Sequence, residues 1–176
     1  GVIEHFIDKA DAILLSGALP YPFWKLQKQS IGRAEVGEAE LAVAKKLKSK
    51  DNIILPTDVV AVKSLDNEHG QARLIKDVEA DDYIVDIGPE TIHKFAIIIK
   101  EAKTIIWNGP AGIFEHPQFS YGTFALARLI ASRSKGKTYG VAGGGETVTA
   151  LLKTGMAEYV DHISVGGGAM LELLAG

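Results

Sequence analysis

Apolar residues along the chain gather in short runs that polar segments and glycines separate. Most of these runs are continuous and rich in Val, Ile or aromatic residues, which is typical of strands buried on both faces of a parallel sheet. The runs that we predict to be strands are residues 11–15, 52–56, 58–62, 83–87, 104–108, 137–142 and 161–165, with 72–75 as a candidate edge strand.

Between these runs, apolar residues recur at the spacing of helices. Pro89 suits the first turn of a helix, where its missing N–H costs nothing, and Gly155 suits the position just after a helix end. The predicted helices are residues 2–7, 23–27, 35–50, 89–99, 124–132, 146–153 and 170–174. Strands that alternate with helices predict an α/β fold, a three-layer sandwich in which helices cover both faces of a mostly parallel sheet.

Polar and glycine residues directly follow five of the strand runs. These turns are Ser16–Gly17, Asp86–Gly88, Asn108–Pro110, Gly143–Thr147 and Gly166–Gly168. Ligands of parallel α/β sheets bind at the carboxyl ends of the strands. We therefore expect all five turns on one edge of the sheet, with a binding site there.

The stretch Gly143–Thr147 has the layout of an anion site. Its three glycines let backbone N–H groups approach a phosphate, and the helix that follows adds unpaired N–H groups and a positive dipole end. Glu146 can bind Mg²⁺ through a carboxylate oxygen, and Thr147 offers a hydroxyl to the same site. By itself the stretch is equally compatible with a tight turn that binds nothing. It matches neither G-x-x-x-x-G-K-[ST] nor G-x-G-x-x-G.

Composition narrows the classes of function. The 176 residues suit one domain, and 47% hydrophobic with 23% charged residues is ordinary for a globular protein. The net charge of −3 gives no basic footprint for nucleic acid, and no apolar run reaches the ~18 residues of a membrane span. Without cysteine there is neither a disulfide frame nor a thiolate metal site. The chain begins in mid-pattern without Met, so we expect a piece of a longer protein.

Five segments of the sequence form a series. They are Leu55–Ala61, Asp86–Pro89, Trp107–Glu115, Gly143–Thr147 and His162–Ala169. In this order and at this spacing they resemble the successive motifs of phosphoglycerate kinases, and the segment Trp107–Glu115 is highly specific. The likeness extends over nearly the whole chain, but only over that family's C-terminal, nucleotide-binding domain with its Rossmann-like sheet. Residues 1–176 are therefore expected to be this domain, without the N-terminal substrate domain and without the first strand of the sheet.

The resemblance implies a function in glycolysis. Phosphoglycerate kinases transfer a phosphoryl group between 1,3-bisphosphoglycerate and ADP, giving 3-phosphoglycerate and ATP, with Mg²⁺ and between two domains that close on a hinge. This chain would supply the Mg-nucleotide half of the site. The same resemblance implies a cytoplasmic enzyme that is a monomer at full length, binds neither nucleic acid nor membranes, and needs the missing N-terminal domain as its partner.

Residue by residue, the resemblance also implies roles in the site. Glu115 would bind the ribose hydroxyls, Asn108 would lie near the phosphates, and Glu146 would bind Mg²⁺ and the nucleotide. Pro110 and Ile113 would line the nucleoside. Phosphate or the transferring phosphoryl group would contact Gly143, Gly144, Gly145, Thr147, Gly166, Gly167 and Gly168. The residues that we predict to be catalytic are Gly144, Gly145, Gly167 and Gly168, and Gly17 is predicted to bind the nucleotide in the adenine turn.

Each role has a structural alternative. Glu115 could be a solvated turn carboxylate, and Glu146 could be a first-turn acid that the helix dipole favours. The glycines at 166–168 could form a plain strand-to-helix turn. Tyr21 and Trp24 could shield the edge of adenine or simply pack, and the sequence does not decide between the two.

The chain also departs from the family's pattern. The basic N-terminal domain and the lysines of the missing first strand are absent, so residues 1–176 alone are predicted to be catalytically inactive. The turn Ser16–Ala18 keeps one of the usual three glycines, which leaves its adenine contacts open, and Glu146 stands where the family often has Asp. Two alternatives are an isolated Mg-nucleotide-binding module without catalysis and a dinucleotide-dependent oxidoreductase domain. The second lacks the G-x-G-x-x-G that it would need after the first strand.

Overall fold

A computed structural model describes residues 2–66, 69–164 and 166 of the chain. Every predicted strand and helix that falls in these ranges forms. The predicted helix at 170–174, Gly167 and Gly168 lie outside the described residues. The strands are β1 Ile13–Leu14, β2 Ile53–Ile54, β3 Asp58–Val62, β4 Gln71–Leu74, β5 Tyr83–Ile87, β6 Thr104–Asn108, β7 Tyr139–Gly143 and β8 His162–Ser164. The helices are α1 Val2–Phe6, α2 Tyr21–Leu26, α3 Glu38–Leu47, α4 Pro89–Glu101, α5 Tyr121–Arg133 and α6 Gly145–Lys153, with short 3₁₀ turns at Ile75–Asp77, Pro117–Phe119 and Ala157–Tyr159.

The strands form three hydrogen-bonded groups within the described residues. β1 pairs with β2, and β6, β7 and β8 pair in that order, all in parallel. β3 pairs antiparallel with both β4 and β5. The protein is therefore a mixed α/β fold with mostly parallel sheets flanked by helices.

The antiparallel group corrects one prediction. The turn Asp86–Gly88 follows β5, which does not belong to the parallel strands, so the five predicted turns do not share one sheet edge. The sequence pattern did not reveal this because both faces of β3 are covered and its residues are almost all apolar. The alternation of apolar and polar residues, which is typical of an antiparallel strand with one solvent-exposed face, is therefore missing.

The main core lies between β6–β7 and the helices α4, α5 and α6. Ile105 and Trp107 of β6 belong to one buried cluster with Phe95 of α4, Ile130 of α5 and Leu151 of α6. Burying each large apolar side chain stabilises the fold by about 1.5–3 kcal/mol. This packing fixes the ends of β6 and β7, from which two of the predicted turns begin.

A buried carboxylate holds the start of α4. Asp58 is 3% exposed, and its two oxygens accept hydrogen bonds from Thr91 N (2.7 Å) and Glu90 N (3.1 Å) in the first turn of the helix. A Cβ on Gly88 would lie only 2.1 Å from Asp58 Oδ2, so this position requires glycine. The turn after β5 is thus closed by Asp58.

The helices are short in the part of the chain that the structure describes. The longest, α4 and α5, have 13 residues each, and none is long and apolar enough to cross a bilayer, which takes about 20 residues.

Candidate functional site

The turn between β7 and α6 depends on glycine. β7 ends at Gly143, α6 begins at Gly145, and Gly144 between them has φ +92°, a value that other residues rarely adopt. A Cβ on Gly144 would lie 2.7 Å from Asn108 Oδ1, so the Asn108 side chain lies directly against this turn. The N–H of Gly144 donates to Ser164 O at 3.3 Å, which joins the turn to the end of β8. This is the predicted strand–glycine–helix layout.

The start of α6 is open to an anion. No side chain caps the helix at Gly144, and Gly145 and Glu146 are exposed. The first N–H groups of a helix lack partners within it, and together with the dipole they favour negative charge. Among the described residues, none forms a hydrogen bond or ion pair with the Glu146 carboxylate, which is therefore available to a cation.

Thr147 links this turn to the one after β6. Its side chain is fully buried, and its Oγ1 accepts a hydrogen bond from Gly109 N at 2.8 Å. The contact that the structure gives this hydroxyl is thus with the neighbouring turn, and contact with phosphate or a metal stays a prediction. The link holds the β6 and β7 turns at a fixed separation.

The turn after β6 is held on several sides. Gly109 has φ +95°, and Ala111 N donates to Oγ1 of the buried Thr123 at 3.0 Å. Ile113 N donates to Val85 O at 2.9 Å, which docks the segment on the middle of β5. Ile113 is partly buried, whereas Glu115 is exposed and forms no hydrogen bond or ion pair with another described residue. The Glu115 carboxylate is therefore free to accept hydrogen bonds from a ligand.

The turn after β1 contacts the turn after β6, although strands β1 and β6 are not paired. Gly17 has φ +60°, and its N–H donates to Ala111 O at 3.1 Å. A Cβ on Gly17 would lie 3.3 Å from Pro110 O. The structure therefore brings the turns after β1, β6 and β7 together, through contacts at Gly17, Asn108 and Thr147. Gly166 is exposed beyond β8, and the predicted Gly167 and Gly168 lie outside the described residues.

The alternatives for Trp24 are settled by its burial. Trp24 is 2% exposed and packs with Ile31, Val59 and Ile75, so it belongs to a core. Tyr21 packs against the same cluster, with its ring centroid 5.8 Å from that of Trp24, and burial raises the pKa of its hydroxyl.

One buried acid beside the site was not among the predicted site residues. Asp86 of β5 is 2% exposed, and its carboxylate accepts hydrogen bonds from Gly122 N (2.6 Å) and Ile87 N (2.9 Å). Burial raises the pKa of Asp86 to about 7, although both hydrogen bonds favour the charged form. A signal was present in the sequence, because an acid within the apolar run 83–87 is unusual for a buried strand.

A cluster of acids just before β5 is paired with basic side chains of the same chain. Glu79, Asp81 and Asp82 place ligand atoms within 4.8 Å of one another, but Lys63 Nζ lies among them, 2.9 Å from Asp82 Oδ1. Arg73 Nη1 lies 3.5 Å from Asp82 Oδ2. Hydrogen bonds from Lys63 hold the pKa of Glu79 and that of Asp81 below their usual range. The oxygens are thus occupied by cations of the chain itself.

Two cavities lie beside β2 and apart from the three turns. Their volumes are about 350 and 510 Å³, and they share Gln27, Ile53 and Leu55 in their linings. Neither is lined by a residue of the turns at 16–17, 108–113 or 143–147. The candidate site is therefore defined by the polar groups of the three turns and not by a cavity.

Fold and turns together define a class of protein. Glycine turns at the carboxyl ends of parallel strands, beside an uncapped helix start, are the arrangement with which α/β proteins bind phosphate groups. The family model for phosphoglycerate kinase matches residues 1–176. The chain belongs to the phosphoglycerate kinase family.

Individual relatives support the same assignment. The phosphoglycerate kinase of Thermosynechococcus vestitus is 38% identical over 182 residues, which cover 100% of this chain and 46% of the relative. That of Lactobacillus johnsonii is 39% identical over 178 residues, covering 100% and 44%. Among solved structures, phosphoglycerate kinase from Coxiella burnetii matches with a TM-score of 0.89 and 34% identity over 99% of this chain and 46% of that one. The enzyme from Pyrococcus horikoshii matches with a TM-score of 0.83 and 27% identity, covering 99% and 45%. The chain thus spans about half the length of the relatives it matches.

Proposed function

We propose that this chain supplies the Mg-nucleotide half of a phosphoglycerate kinase active site, where a phosphoryl group passes between 1,3-bisphosphoglycerate and ADP to give 3-phosphoglycerate and ATP. The observation that carries the proposal is a chain of contacts. Gly17 N bonds to Ala111 O, and Gly109 N bonds to Thr147 Oγ1, so the nucleotide-binding turns form one unit. This reaction would place the whole protein in glycolysis and in the cytoplasm.

The groups of the site suit this chemistry. Phosphoryl transfer needs positioning and charge stabilisation more than covalent help from the protein. The N–H groups of the Gly143–Gly145 turn and of the α6 start would hold phosphate oxygens, and the free carboxylate of Glu146 would hold Mg²⁺, which takes one or two carboxylates beside water and phosphate. Glu115 would accept hydrogen bonds from the ribose hydroxyls, with Pro110 and Ile113 against the nucleoside. Gly167 and Gly168 keep their proposed role toward the transferring phosphoryl group.

The cations of the reaction would come from another part of the whole protein. The four arginines of this chain, at positions 33, 73, 128 and 133, contact groups outside the three turns: Asp81 O, Asp82, the Phe124 ring and Lys100 O. The chain as a whole is slightly acidic, with a net charge of −3. Residues 1–176 would therefore be the C-terminal domain, and a basic substrate domain and one further strand would complete a monomeric enzyme.

Calorimetric titration tests the ligand. MgADP should bind and NAD⁺ should not, because the turns offer phosphate contacts and a metal ligand but no dinucleotide fingerprint. Glu146→Gln should remove most of the affinity that Mg²⁺ adds to ADP binding. Glu101→Gln, at the exposed end of α4, is the control and should bind as the wild type does. Tight NAD⁺ binding with no MgADP signal would overturn the proposal.

A coupled assay with 3-phosphoglycerate and MgATP tests whether catalysis needs groups outside residues 1–176. Residues 1–176 should show no turnover above the rate without enzyme, because loss of a cationic clamp alone can cost ~10³-fold or more in phosphoryl transfer. The whole protein should turn over. Turnover by residues 1–176 alone would show that their own side chains suffice for catalysis. A whole protein without activity would favour the alternative of a module that binds Mg-nucleotide without catalysis.

A further inference from the structure

The carboxylate of Asp86 lies buried without a cationic partner among the described residues. Burying a charge that no opposite charge compensates opposes folding, and only the hydrogen bonds to the carboxylate offset that cost here. Here both hydrogen bonds come from backbone N–H groups, of Gly122 at 2.6 Å and of Ile87 at 2.9 Å. The first of these joins the end of β5 to the first turn of α5, two elements that flank the segment 109–116.

Two glycines are fitted around this acid. A Cβ on Gly122 would lie 2.4 Å from Asp86 Oδ1, so only glycine lets α5 come this close to the carboxylate. A Cβ on Gly112 would lie 2.6 Å from Asp86 Cα and 2.1 Å from Val85 O. The start of α5 and the segment 109–116 therefore both pack against Val85 and Asp86 of β5.

The segment 109–116 is held between these two elements. Ile113 N donates to Val85 O of β5 at 2.9 Å, and Ala111 N donates to Thr123 Oγ1 of α5 at 3.0 Å. The exposed Glu115 side chain has no support of its own among the described residues, so its position depends on the backbone that carries it. If α5 and β5 separate, the two anchors of the segment separate with them.

We propose that Asp86 is a positioning residue for nucleoside binding: by tying the start of α5 to the end of β5, it sets the segment 109–116 and hence the places of Ile113 and Glu115. The inference rests on the proposed function for its ligand, but the geometry that it invokes is independent of that function. Asp86 does not touch the nucleotide in this scheme.

Asp86→Asn is the test, and Asp58→Asn is its matched control. Asp58 is also a buried acid whose oxygens accept first-turn N–H groups, but those of α4. Each substitution places an amide NH₂ where an N–H needs an acceptor, so both variants should have a lower Tm than the wild type. Circular dichroism selects a temperature at which all three proteins are folded. There, MgADP titration should show a Kd at least fivefold higher for Asp86→Asn and within twofold of wild type for Asp58→Asn.

Deuterium exchange of backbone amides, measured without ligand, gives an independent readout. Residues 109–123 should exchange at least fivefold faster in Asp86→Asn and as in wild type in Asp58→Asn. An unchanged Kd in folded Asp86→Asn, or equal weakening by both variants, would overturn the proposal. If the wild type itself does not bind MgADP, the proposed function is wrong. The deuterium exchange of residues 109–123 still shows whether Asp86 holds the segment 109–116 in position.

Discussion

Gly144→Ala probes the turn on which the candidate site is built. Gly144 has φ +92° and ψ 139°, a conformation that is essentially restricted to glycine, and strain of this kind costs ~1–3 kcal/mol in other residues. The added Cβ would also lie 2.7 Å from Asn108 Oδ1, so the Asn108 side chain must move. A chain of this size loses about 2–4 °C in Tm for each kcal/mol. We therefore expect the Tm to fall by ~2–12 °C.

Gly145→Ala is the matched control at the next position. Gly145 is the first residue of α6, its φ is not positive, and a Cβ there would meet nothing within 4 Å. Alanine should therefore be neutral or stabilise the protein by ~0.4–1 kcal/mol. The assay is thermal denaturation followed by circular dichroism, without ligand and at one protein concentration. Equal Tm values for the two variants would refute the claim that the turn requires glycine at 144.

Three further predictions each concern one side chain. Glu115→Ala should raise the Kd for MgADP roughly tenfold or more in calorimetry, since charge-assisted hydrogen bonds contribute ~1.5–3 kcal/mol; an unchanged Kd would make Glu115 a turn residue only. Thr147→Val leaves Gly109 N without its acceptor and should lower the free energy of unfolding in urea by ~1–3 kcal/mol, whereas Thr147→Ser should retain most of it. The free energy of unfolding of wild type relative to Asp86→Asn should fall as pH rises from the ordinary Asp86 pKa of 3.8 to about 7, because the folded protein keeps this proton longer than the unfolded chain. Urea titrations at several pH values from 5 to 8 check this last prediction, and a flat difference contradicts it.

The order of strands and helices was predictable because the apolar pattern is a local property of the sequence. β6 has the predicted bounds, and α4 begins at Pro89 as expected. α3 is shorter than predicted because Gly37 precedes it as N-cap, with Gly37 N donating to Glu40 Oε2 at 2.8 Å. The antiparallel pairing of β5 was not predictable, since a strand covered on both faces has the same apolar residues in either direction.

For the candidate site, the sequence indicated the turns and the residue types but not the hydrogen bonds between them. Gly144 lies where the strand–glycine–helix layout puts it, and Glu146 and Glu115 are exposed, which their predicted binding roles require. The hydroxyl of Thr147 instead meets Gly109, because the rotation of α6 over the β6 turn follows from packing between distant residues. Asp86 was visible as an acid in an apolar run, but its partner Gly122 is 36 positions away and no local pattern connects them.

The separation of β1 from β6 has a consequence for handling the isolated chain. In the described residues, β1 pairs only with β2 and β6 only with β7, so each has one edge of unpaired backbone groups, bridged only near the turns by the 3.1 Å contact from Gly17 N to Ala111 O. Open strand edges are templates on which other chains add. Light scattering over a dilution series should therefore show particle mass rising with concentration for residues 1–176. Solubility of this chain would then be limited by unpaired main-chain groups at these two strand edges.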